Sequence, residues 1–473
     1  MTTIESVVAN DMCVGCGGCE VATDGRIPVQ IMPRGYYQAD LSSASASDLA
    51  LGSQVCPFTD ESRDEDAIAT DHYADLPVDP GAGRFRRAFA GRINSDDELP
   101  NSSSGGLTTW IVLELLRVGA VDGVIHVGSG DSSLFEYTVS RSAEDVLAGR
   151  KSKYHPATFA QALREVRGDG LRYAFVGIPC AVKGVRLVTE QDPVIREQLK
   201  FFVGIVCGHM KSAAYAESFA WQLGVEPSNL ETVDFRIKDP ELTSRQYSFG
   251  AQAADTGEWV EKQTLSLVGG SWGHAVFQLN ACNYCDDIFA ETADVVVGDA
   301  WLAKYEIDWR GTNVVMTRNA YIDELLRDGA ARGEFSADEL DVDDVVKTQA
   351  GNFRHRREGL AVRLADDEAA GRWAPKKRVE PSYEGVSDER IELIRNRREL
   401  SERSHPAFAR AKAADDLDVY LNEIRPLIEN YQQRTKMPFT TRVRNKLKRE
   451  FWRLLGRVKS RIKNARSRPA INQ

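Results

Sequence analysis

The sequence predicts an α/β protein with three parts: a cysteine-rich N-terminal segment, a central α/β domain with a mostly parallel sheet, and a helical C-terminal tail. Four of the eight cysteines lie in the first 75 residues, among Gly, Pro, Ser and Asp. From residue 85 onward, amphipathic helices alternate with apolar strands, which is typical of domains built on parallel strands. Beyond about residue 375 the chain is charged, has a helical pattern and contains no cysteine.

Length and composition indicate a folded protein of several domains. With 473 residues, the chain exceeds the size at which one hydrophobic core keeps growing. Hydrophobic residues make up 42% and charged residues 27%, close to ordinary globular usage. We expect an N-terminal segment over 1–75, two parts of an α/β region over 85–190 and 191–370, and a charged helical region over 375–473.

The α/β pattern rests on a series of helices and strands. They are predicted in "SSSGGLTTWIVLELLRVG" (helix, 102–119), "VDGVIHVG" (strand, 121–128), "TFAQALREVRG" (helix, 158–168), "RYAFVGIPC" (strand, 172–180) and "LKFFVGIVC" (strand, 199–207). The last two strands end in cysteine. Because functional groups collect outside the carboxyl ends of parallel strands, we expect Cys180 and Cys207 on one edge of the sheet.

The start of the chain, "MTTIESVVANDM", lacks a basic region followed by an apolar run, and no stretch reaches the length of a membrane-spanning helix. These features predict a cytoplasmic protein. In that reducing compartment, eight cysteines are metal ligands or redox groups more often than they are disulfides.

The net charge of −10 is unevenly distributed. Residues 434–468 hold 14 Lys and Arg and one acid, Glu450, so this stretch carries +13 and the rest of the chain −23. An acidic body excludes nucleic acid as the main partner, because binding phosphates requires a basic surface.

The basic tail has a helical pattern of its own. Apolar residues recur at intervals of four and three, at Val443, Leu447, Phe451, Leu454, Val458 and Ile462. The segment 441–467 is therefore predicted to be a basic amphipathic helix. It suits either peripheral contact with an anionic membrane or docking on an acidic protein surface.

The motif "CVGCGGCE" places Cys13, Cys16 and Cys19 three residues apart, and Cys56 in "QVCPF" follows 37 positions after Cys19. Such spacing, with a remote cysteine before proline, is typical of thiolates around a 4Fe-4S cluster in bacterial ferredoxins. It predicts a ferredoxin-like cluster-binding segment. A structural zinc site, which seldom uses a third cysteine at this spacing, and four buried reduced thiols are the alternatives.

The remaining cysteines are Cys180, Cys207, Cys282 and Cys285. The last two form a C-x2-C pair, and the two strand-end cysteines complete four sulfur ligands if the chain folds them together. A second 4Fe-4S cluster is the favoured interpretation. The alternatives are zinc, or two inert thiols beside an unrelated C-x2-C turn.

Several motifs together resemble a known family. "SSSGGLTTWIVLELLRVGAVDGVI", "SRSAEDVLAGRKSKYHPATFAQALREVR", "FVGIPCAVKGVR", "GIVCGHMKS" and "CNYCDDIFAETADVVVGDAW" occur in the order seen in coenzyme F-420 hydrogenase/dehydrogenase beta subunits. The resemblance covers about residues 10–365. It implies an iron-sulfur oxidoreductase containing FAD, with a small molecule or a deazaflavin as substrate and an electron-donor protein such as a ferredoxin. Some relatives occur among polysaccharide-biosynthesis proteins.

In the light of this resemblance, the "SSSGG" turn before a helix is identified as the cradle for the FAD pyrophosphate. Hydroxyls and exposed N–H groups at a helix start bind anions, and glycine lets a diphosphate approach the backbone. The residues concerned are Ser103, Ser104, Gly105 and Gly106. Taken alone, such a turn is usually only a helix start.

Lys153 and Tyr154 in "KSKY" match the family segment usually written GSKY. The resemblance implies that the cation meets flavin charge and that the ring packs on the cofactor. Lys151 departs from the family, where glycine or another small residue is common nearby. The plain alternative is a lysine and a tyrosine on a surface loop.

No general acid is identified from the sequence. His209 is predicted either to protonate a substrate or tune a cluster, or simply to pack. Asp299, in "VVVGDAW", either orders the flavin or a ligand loop, or is an ordinary turn residue. The stretches 225–270 and 305–350 are predicted to hold substrate determinants.

The leading hypothesis is an oxidoreductase with two 4Fe-4S clusters and FAD, because a flavin converts between electron pairs and single electrons. One alternative is a non-catalytic accessory protein of polysaccharide assembly that retains structural metal sites. Another is a zinc-stabilised binding module. Bound flavin distinguishes the enzyme from both.

Overall fold

The computed structural model describes residues 2–130 and 133–436, and the chain begins with short helices around a hairpin. These elements are α1 (Ile4–Ala9), α2 (Gly18–Ala22), β1 (Val29–Ile31), β2 (Tyr37–Ala39), α3 (Ala46–Val55) and α4 (Glu65–Tyr73). The helices are too short to show a strong periodicity in the sequence. Local caps start two of them, since the side chains of Ser45 and Asp64 accept hydrogen bonds from the first turns of α3 and α4.

The other strands of the described ranges form one more two-stranded pairing, a three-stranded sheet and a large eight-stranded sheet. They are β3 (Val78–Asp79), β4 (Gly83–Arg84), β5 (Arg87–Ile93), β6 (Gly123–Ser129), β7 (Phe135–Ser140), β8 (Tyr173–Gly177), β9 (Leu199–Ile205), β10 (Leu230–Ile237), β11 (Ser248–Ala253), β12 (Trp259–Gln263), β13 (Val295–Asp299), β14 (Asn313–Thr317) and β15 (Phe335–Glu339).

The large sheet has the strand order β15-β5-β14-β13-β9-β8-β6-β7. Its centre is parallel, because β13 pairs with β9, β9 with β8, and β8 with β6 in the same direction. Antiparallel pairs lie on both sides, so the sheet is mixed. The pairings point β5, β6, β8, β9 and β13 the same way, and the carboxyl ends of these strands therefore share one edge. The predicted α/β class is confirmed.

Helices cover both faces of this sheet. The remaining helices are α5 (Leu107–Arg117), α6 (Ala143–Ala148), α7 (Ala160–Val166), α8 (Pro179–Gln191), α9 (Pro193–Gln198), α10 (Ala214–Gln222), α11 (Ala303–Glu306), α12 (Ala320–Ala331), α13 (Val342–Thr348), α14 (Ala350–Phe353), α15 (Gly359–Ala369), α16 (Asp388–Ala414) and α17 (Leu417–Arg434). Apolar residues of α5 and α12 pack on one face, and those of α7 and α8 on the other. Burial on both faces explains the continuous apolar runs in the central strands.

Both predicted strand ends at a cysteine are wrong, and the strand expected over 199–207 ends at Ile205. The strand expected over 172–180 ends at Gly177, and Cys180 lies in the first turn of α8 instead of at the end of a strand. Pro179 is the first residue of α8, a position that its fixed φ favours. The cysteine nevertheless remains at the carboxyl edge of the sheet, because α8 starts there.

A second, antiparallel sheet of β10, β11 and β12 packs with α10 and with the antiparallel pair α16 and α17. Helices α16 and α17 lie within the charged region over 375–473, whose assignment as a separate domain stays a prediction. The amphipathic helix predicted over 441–467 lies outside the described residues. Within residues 2–130 and 133–436, the search for a helix long and apolar enough to cross a bilayer finds none.

A buried hydroxyl in the helical pair supports a stability prediction. Tyr420 on α17 is fully buried, its ring stacks on Phe277 at 5.4 Å, and its hydroxyl has no hydrogen-bond partner in the described ranges. Tyr420→Phe should therefore raise the free energy of unfolding by about 1 kcal/mol, measured by urea denaturation. The control is Tyr284→Phe, which removes a buried hydroxyl bonded to Asp367 and Arg398 and should lower stability. A stability loss in Tyr420→Phe equal to that in the control contradicts the prediction.

Candidate functional site

The first cysteine set surrounds one cavity. The cavity is lined by all four predicted ligands, Cys13, Cys16, Cys19 and Cys56. The backbone bends tightly between them, with Gly17 at a φ of 97°. A Cβ atom at Gly17 would lie 2.4 Å from Oγ1 of Thr158, so both conformation and space require glycine there. The structure brings these four cysteines together around one cavity, and their assignment as cluster ligands stays a prediction.

Backbone N–H groups face the sulfurs of this first set. The amides of Gly15 and Ala39 donate to Sγ of Cys13 at 3.4 and 3.5 Å. Burial raises the pKa of the Cys16 thiol to about 12, although nearby amides oppose the shift. Thiolates in this cavity therefore require a positive partner such as a metal centre.

The second cysteine set comes together from three parts of the chain. Cys180 lies in the first turn of α8, and Cys207 lies two residues beyond β9. Cys282 lies within a short 3₁₀ turn over Asn280–Asn283, and Cys285 follows that turn by two residues. Burial raises the pKa of Cys180 well above its usual value, and repulsion from Cys207, Cys285 and Cys282 raises it further. The four predicted residues are thus close enough to interact.

No group of three or more His, Cys, Asp or Glu side chains in residues 2–130 and 133–436 is arranged to hold a single metal ion. A zinc site built from four cysteines needs every sulfur about 2.3 Å from one ion. A 4Fe-4S cluster is a different case, because each thiolate binds its own iron atom.

Helix α8 connects the two cysteine sets. Cys180 and Gly184 are four residues apart on one face of α8. A Cβ atom at Gly184 would lie 3.5 Å from Sγ of Cys16, which belongs to the first set. Tyr137 lies near both sets, since burial and then Cys180 and Cys16 raise its pKa. The two sets are therefore immediate neighbours.

Arg356 is a buried cation at the second set that sequence analysis did not single out. Its Nη2 atom lies 3.7 Å from Sγ of Cys207 and donates to the carbonyls of Cys207 and Gly208. It lies in a π-helical turn over Arg354–Glu358. Such turns are rare and frequent at functional sites. In the sequence, Arg356 is one of a run of basic residues, and nothing distinguishes the buried member.

The predicted pyrophosphate cradle lies between β5 and α5, at the carboxyl edge of the sheet. Gly106 caps α5 with a φ of 82°, and Asn313 accepts the N–H of Leu107 through Oδ1. The hydroxyl of Ser103 accepts a hydrogen bond of 2.7 Å from the backbone N–H of Ser152. This bond joins the cradle to the "KSKY" loop, which is far away in sequence.

The hydroxyl of Ser104 donates to the carbonyl of Thr312, 3.1 Å away. At Gly105, a Cβ atom would lie 2.6 Å from the carbonyl oxygen of Gly91 and 2.8 Å from Oδ1 of Asn313. The turn is therefore held closely against β5 and β14. Its assignment to FAD stays a prediction.

The lysines of the "KSKY" loop make contacts within the protein. Lys153 donates to the carbonyls of Gly149, Arg150 and Lys151, and burial lowers its pKa to about 8. Lys151 has a positive φ of 78° and forms an ion pair with Asp234. Both lysines stabilise the conformation of the loop through these contacts. An interaction of Lys153 with a charged group of the flavin stays a prediction.

Strand β10 adds charged residues beside the cradle. Arg236 is buried and donates to both carboxylate oxygens of Asp299 at 2.9 and 3.3 Å, while its Nε atom has no partner in the described ranges. Lys238 donates to the carbonyl of Ser104, and burial followed by repulsion from Arg236 lowers its pKa to about 7. The alternating charges of "DFRIK" are the signal that could have revealed this face.

Aromatic rings lead from the loop to the second cysteine set. The rings of Tyr154 and Trp272 are 4.9 Å apart, and Trp272 stacks on His209 at 4.1 Å. His209 lies two residues after Cys207. It is buried with its Nε2 unpartnered in the described ranges, and burial lowers its pKa well below the usual value. The structure thus shows His209 as a packed residue between the two candidate sites.

Two family profiles match the central region. The profile for the N-terminal part of coenzyme F420 hydrogenase/dehydrogenase beta subunits matches residues 88–164. The profile for the C-terminal part of the same beta subunits matches residues 170–343. The matched ranges include the candidate flavin residues and the second cysteine set, whereas the first set and Arg356 lie outside them.

Three curated proteins are similar in sequence to parts of this chain. The F subunit of F(420)H(2) dehydrogenase from Methanosarcina mazei is 25% identical over 313 residues, which are 63% of this chain and 80% of that protein. The beta subunit of coenzyme F420 hydrogenase from Methanosarcina barkeri is 24% identical over 236 residues, 47% of this chain and 75% of that protein. Coenzyme F420-dependent sulfite reductase of Methanocaldococcus jannaschii is 29% identical over 210 residues, 41% of this chain and 30% of that protein.

Among solved structures, a chain of the F420-reducing NiFe hydrogenase complex from Methanosarcina barkeri is 17% identical to this chain, with a TM-score of 0.46. The comparison covers 62% of this chain and 96% of that chain.

Proposed function

The chain belongs to the family of coenzyme F420 hydrogenase/dehydrogenase beta subunits, and on this premise we propose that it is an oxidoreductase that binds FAD and two 4Fe-4S clusters. The curated relatives are oxidoreductases named for coenzyme F420. We infer a deazaflavin of this kind as the two-electron substrate and a protein such as a ferredoxin as the one-electron partner.

One observation carries the proposal. The cradle, Cys180 and Cys207 follow β5, β8 and β9, and Asp299 ends β13, so these residues lie where the carboxyl ends of four strands share one edge of the sheet. The ring contacts from Tyr154 through Trp272 to His209 join the cradle side to the cysteine side. When bound, FAD exchanges electrons in pairs with a hydride donor and singly with a cluster. This chemistry requires the flavin site and a cluster site to lie close together.

The residues at the second cysteine set fit a negatively charged cluster. Arg356 supplies a positive charge beside Cys207, and the N–H of Met210 donates to Sγ of Cys282 at 3.2 Å. Four thiolates in a buried cavity would otherwise repel one another strongly. The chain therefore offers cation and N–H donors where a thiolate-ligated cluster would place negative charge.

On the flavin side, the chain offers a rigid turn and a buried polar face. The turn at Ser103 and Ser104 is held by hydrogen bonds to two other loops, so its position is fixed before any ligand binds. The unpartnered Nε of Arg236 is a buried donor available to a ligand oxygen or nitrogen. These residues would bind and orient the flavin and exclude water around it.

The test is to purify the full chain without oxygen and to quantify iron, sulfide, zinc and released flavin. We expect about eight iron atoms per chain, four for each cysteine set, and one FAD. Reduced coenzyme F420 should bleach the visible absorption of both cofactor types. Zinc without flavin would contradict the redox proposal and would favour the accessory-protein or binding-module alternative.

A further inference from the structure

Three arginines around the second cysteine set are buried without ion pairs. Arg356, Arg363 and Arg397 are 2%, 4% and 6% exposed. Arg363 donates to the carbonyls of Asn283 and His355. Arg397 donates to carbonyls at 272 and 273 and to two neutral side chains. Within residues 2–130 and 133–436, none of the three has a carboxylate partner, which is costly for a buried guanidinium.

Arg356 is the member of this group that reaches a sulfur. Its Nε and Nη2 atoms donate to the carbonyl of Gly208 at 3.0 and 2.6 Å, and Nη1 donates to the carbonyl of Asp287 at 3.3 Å. These bonds orient the guanidinium so that Nη2 also faces Sγ of Cys207. The nearby acid Asp286 is already paired with Lys377 and Arg378.

The first cysteine set has a different environment. The donors to Cys13 are neutral backbone amides. The cation on the adjacent helix, Lys183, is paired with Glu65 at 3.3 Å. A cation without a carboxylate partner in the described ranges therefore lies beside the second set, whereas the first set has backbone N–H dipoles and a lysine paired with Glu65.

We propose that Arg356 is a positioning residue whose charge raises the reduction potential of a cluster held by the second cysteine set. This inference rests on the proposed function. Reduction adds one electron, supplied by the donor protein, and no proton to the cluster. The added negative charge is stabilised by the fixed guanidinium in a medium of low dielectric constant.

The test compares three variants of the full chain, each purified without oxygen. The reduction potential of each cluster is measured by redox titration with low-temperature EPR spectroscopy. Arg356→Gln removes the charge, and Arg356→Lys retains it. Arg318→Gln is the matched control, because Arg318 is equally buried and donates to four backbone carbonyls, none of them in a cysteine set. Iron per chain is measured for each protein.

In Arg356→Gln, the equilibrium constant for reducing one cluster should fall at least tenfold, which is about 59 mV for a one-electron couple. The potential of the other cluster should stay unchanged, as should both potentials in Arg318→Gln. Arg356→Lys should stay within about threefold of the parent. If Arg356→Gln loses iron, the result for Arg356→Lys decides. Retained iron and an unchanged reduction potential in Arg356→Lys support the role of the positive charge, and loss of either overturns the inference.

Unchanged potentials in Arg356→Gln, or equal shifts of both clusters, would overturn the inference while leaving the proposed function intact. A parent protein with zinc and no iron would overturn both. A parent with about four iron atoms per chain and a potential insensitive to Arg356→Gln would overturn the inference alone.

Discussion

Replacing Cys285 by Ala is expected to lower the iron content from about eight to about four atoms per chain while FAD stays bound. Alanine cannot replace a thiolate that ligates iron, and Cys285 lies near the other three cysteines of its set, of which Cys207 is buried and Cys180 and Cys282 are partly buried. Electron delivery from reduced coenzyme F420 to an external one-electron acceptor should fall by roughly 100-fold or more. The flavin itself should still be bleached.

The measurement combines iron and flavin analysis with stopped-flow reduction and a steady-state acceptor assay. Met210→Leu is the control, since it keeps the backbone N–H that donates to Cys282 and conserves side-chain volume beside Cys180. It should retain iron and activity. Full iron content in Cys285→Ala would show that this cysteine is an inert thiol, as one sequence-based alternative holds.

The second large effect is expected for Gly105→Ala. The new Cβ atom would lie 2.6 Å from the carbonyl oxygen of Gly91 and 2.9 Å from the backbone nitrogen of Asn313. Neither group can move without displacing a strand, so the turn must shift and the cradle must open. We expect about 1–3 kcal/mol lower stability and a loss of most bound FAD.

Both quantities can be followed, by urea unfolding and by flavin released per folded chain. Gly351→Ala is the control, because its nearest neighbour would be a side-chain nitrogen of Arg354 at 3.9 Å. It should leave bound FAD unchanged and should not lower stability, since alanine is favoured over glycine in a helix. If Gly105→Ala is destabilised yet keeps a full complement of FAD in the folded fraction, the pyrophosphate cradle lies elsewhere.

Apolar patterning predicted the central fold well. The strands β8, β9 and β13 are buried on both faces, so their continuous apolar sequences stand out without knowledge of the tertiary structure. The exact start of α8 could not be obtained this way. The apolar run continues through Pro179 into the helix, and hydrophobicity alone does not separate a buried strand from a buried helix.

The spacing of the cysteines also predicts two groups, and the structure brings the members of each group close together. Their role as ligands stays a prediction. The charged groups around the cysteines could not be predicted. Arg356 is buried only because α15 and the preceding π-helical turn fold back onto Cys207, a contact between residues 149 positions apart. Arg236 depends in the same way on Asp299, 63 positions away. A local stretch of sequence does not indicate which distant residue its side chains will contact.

The contact between Gly184 and Cys16 has a consequence for how electrons would pass between the two sets. The same helix that carries Cys180 lies directly against Cys16 of the first set, and Phe159, from the segment before α7, also donates its N–H to the carbonyl of Cys16. In the proposed enzyme, these contacts would hold the first set against α8. Electrons would then pass between the two clusters over a distance fixed by the fold, and the N-terminal segment would not need to move as a tethered shuttle.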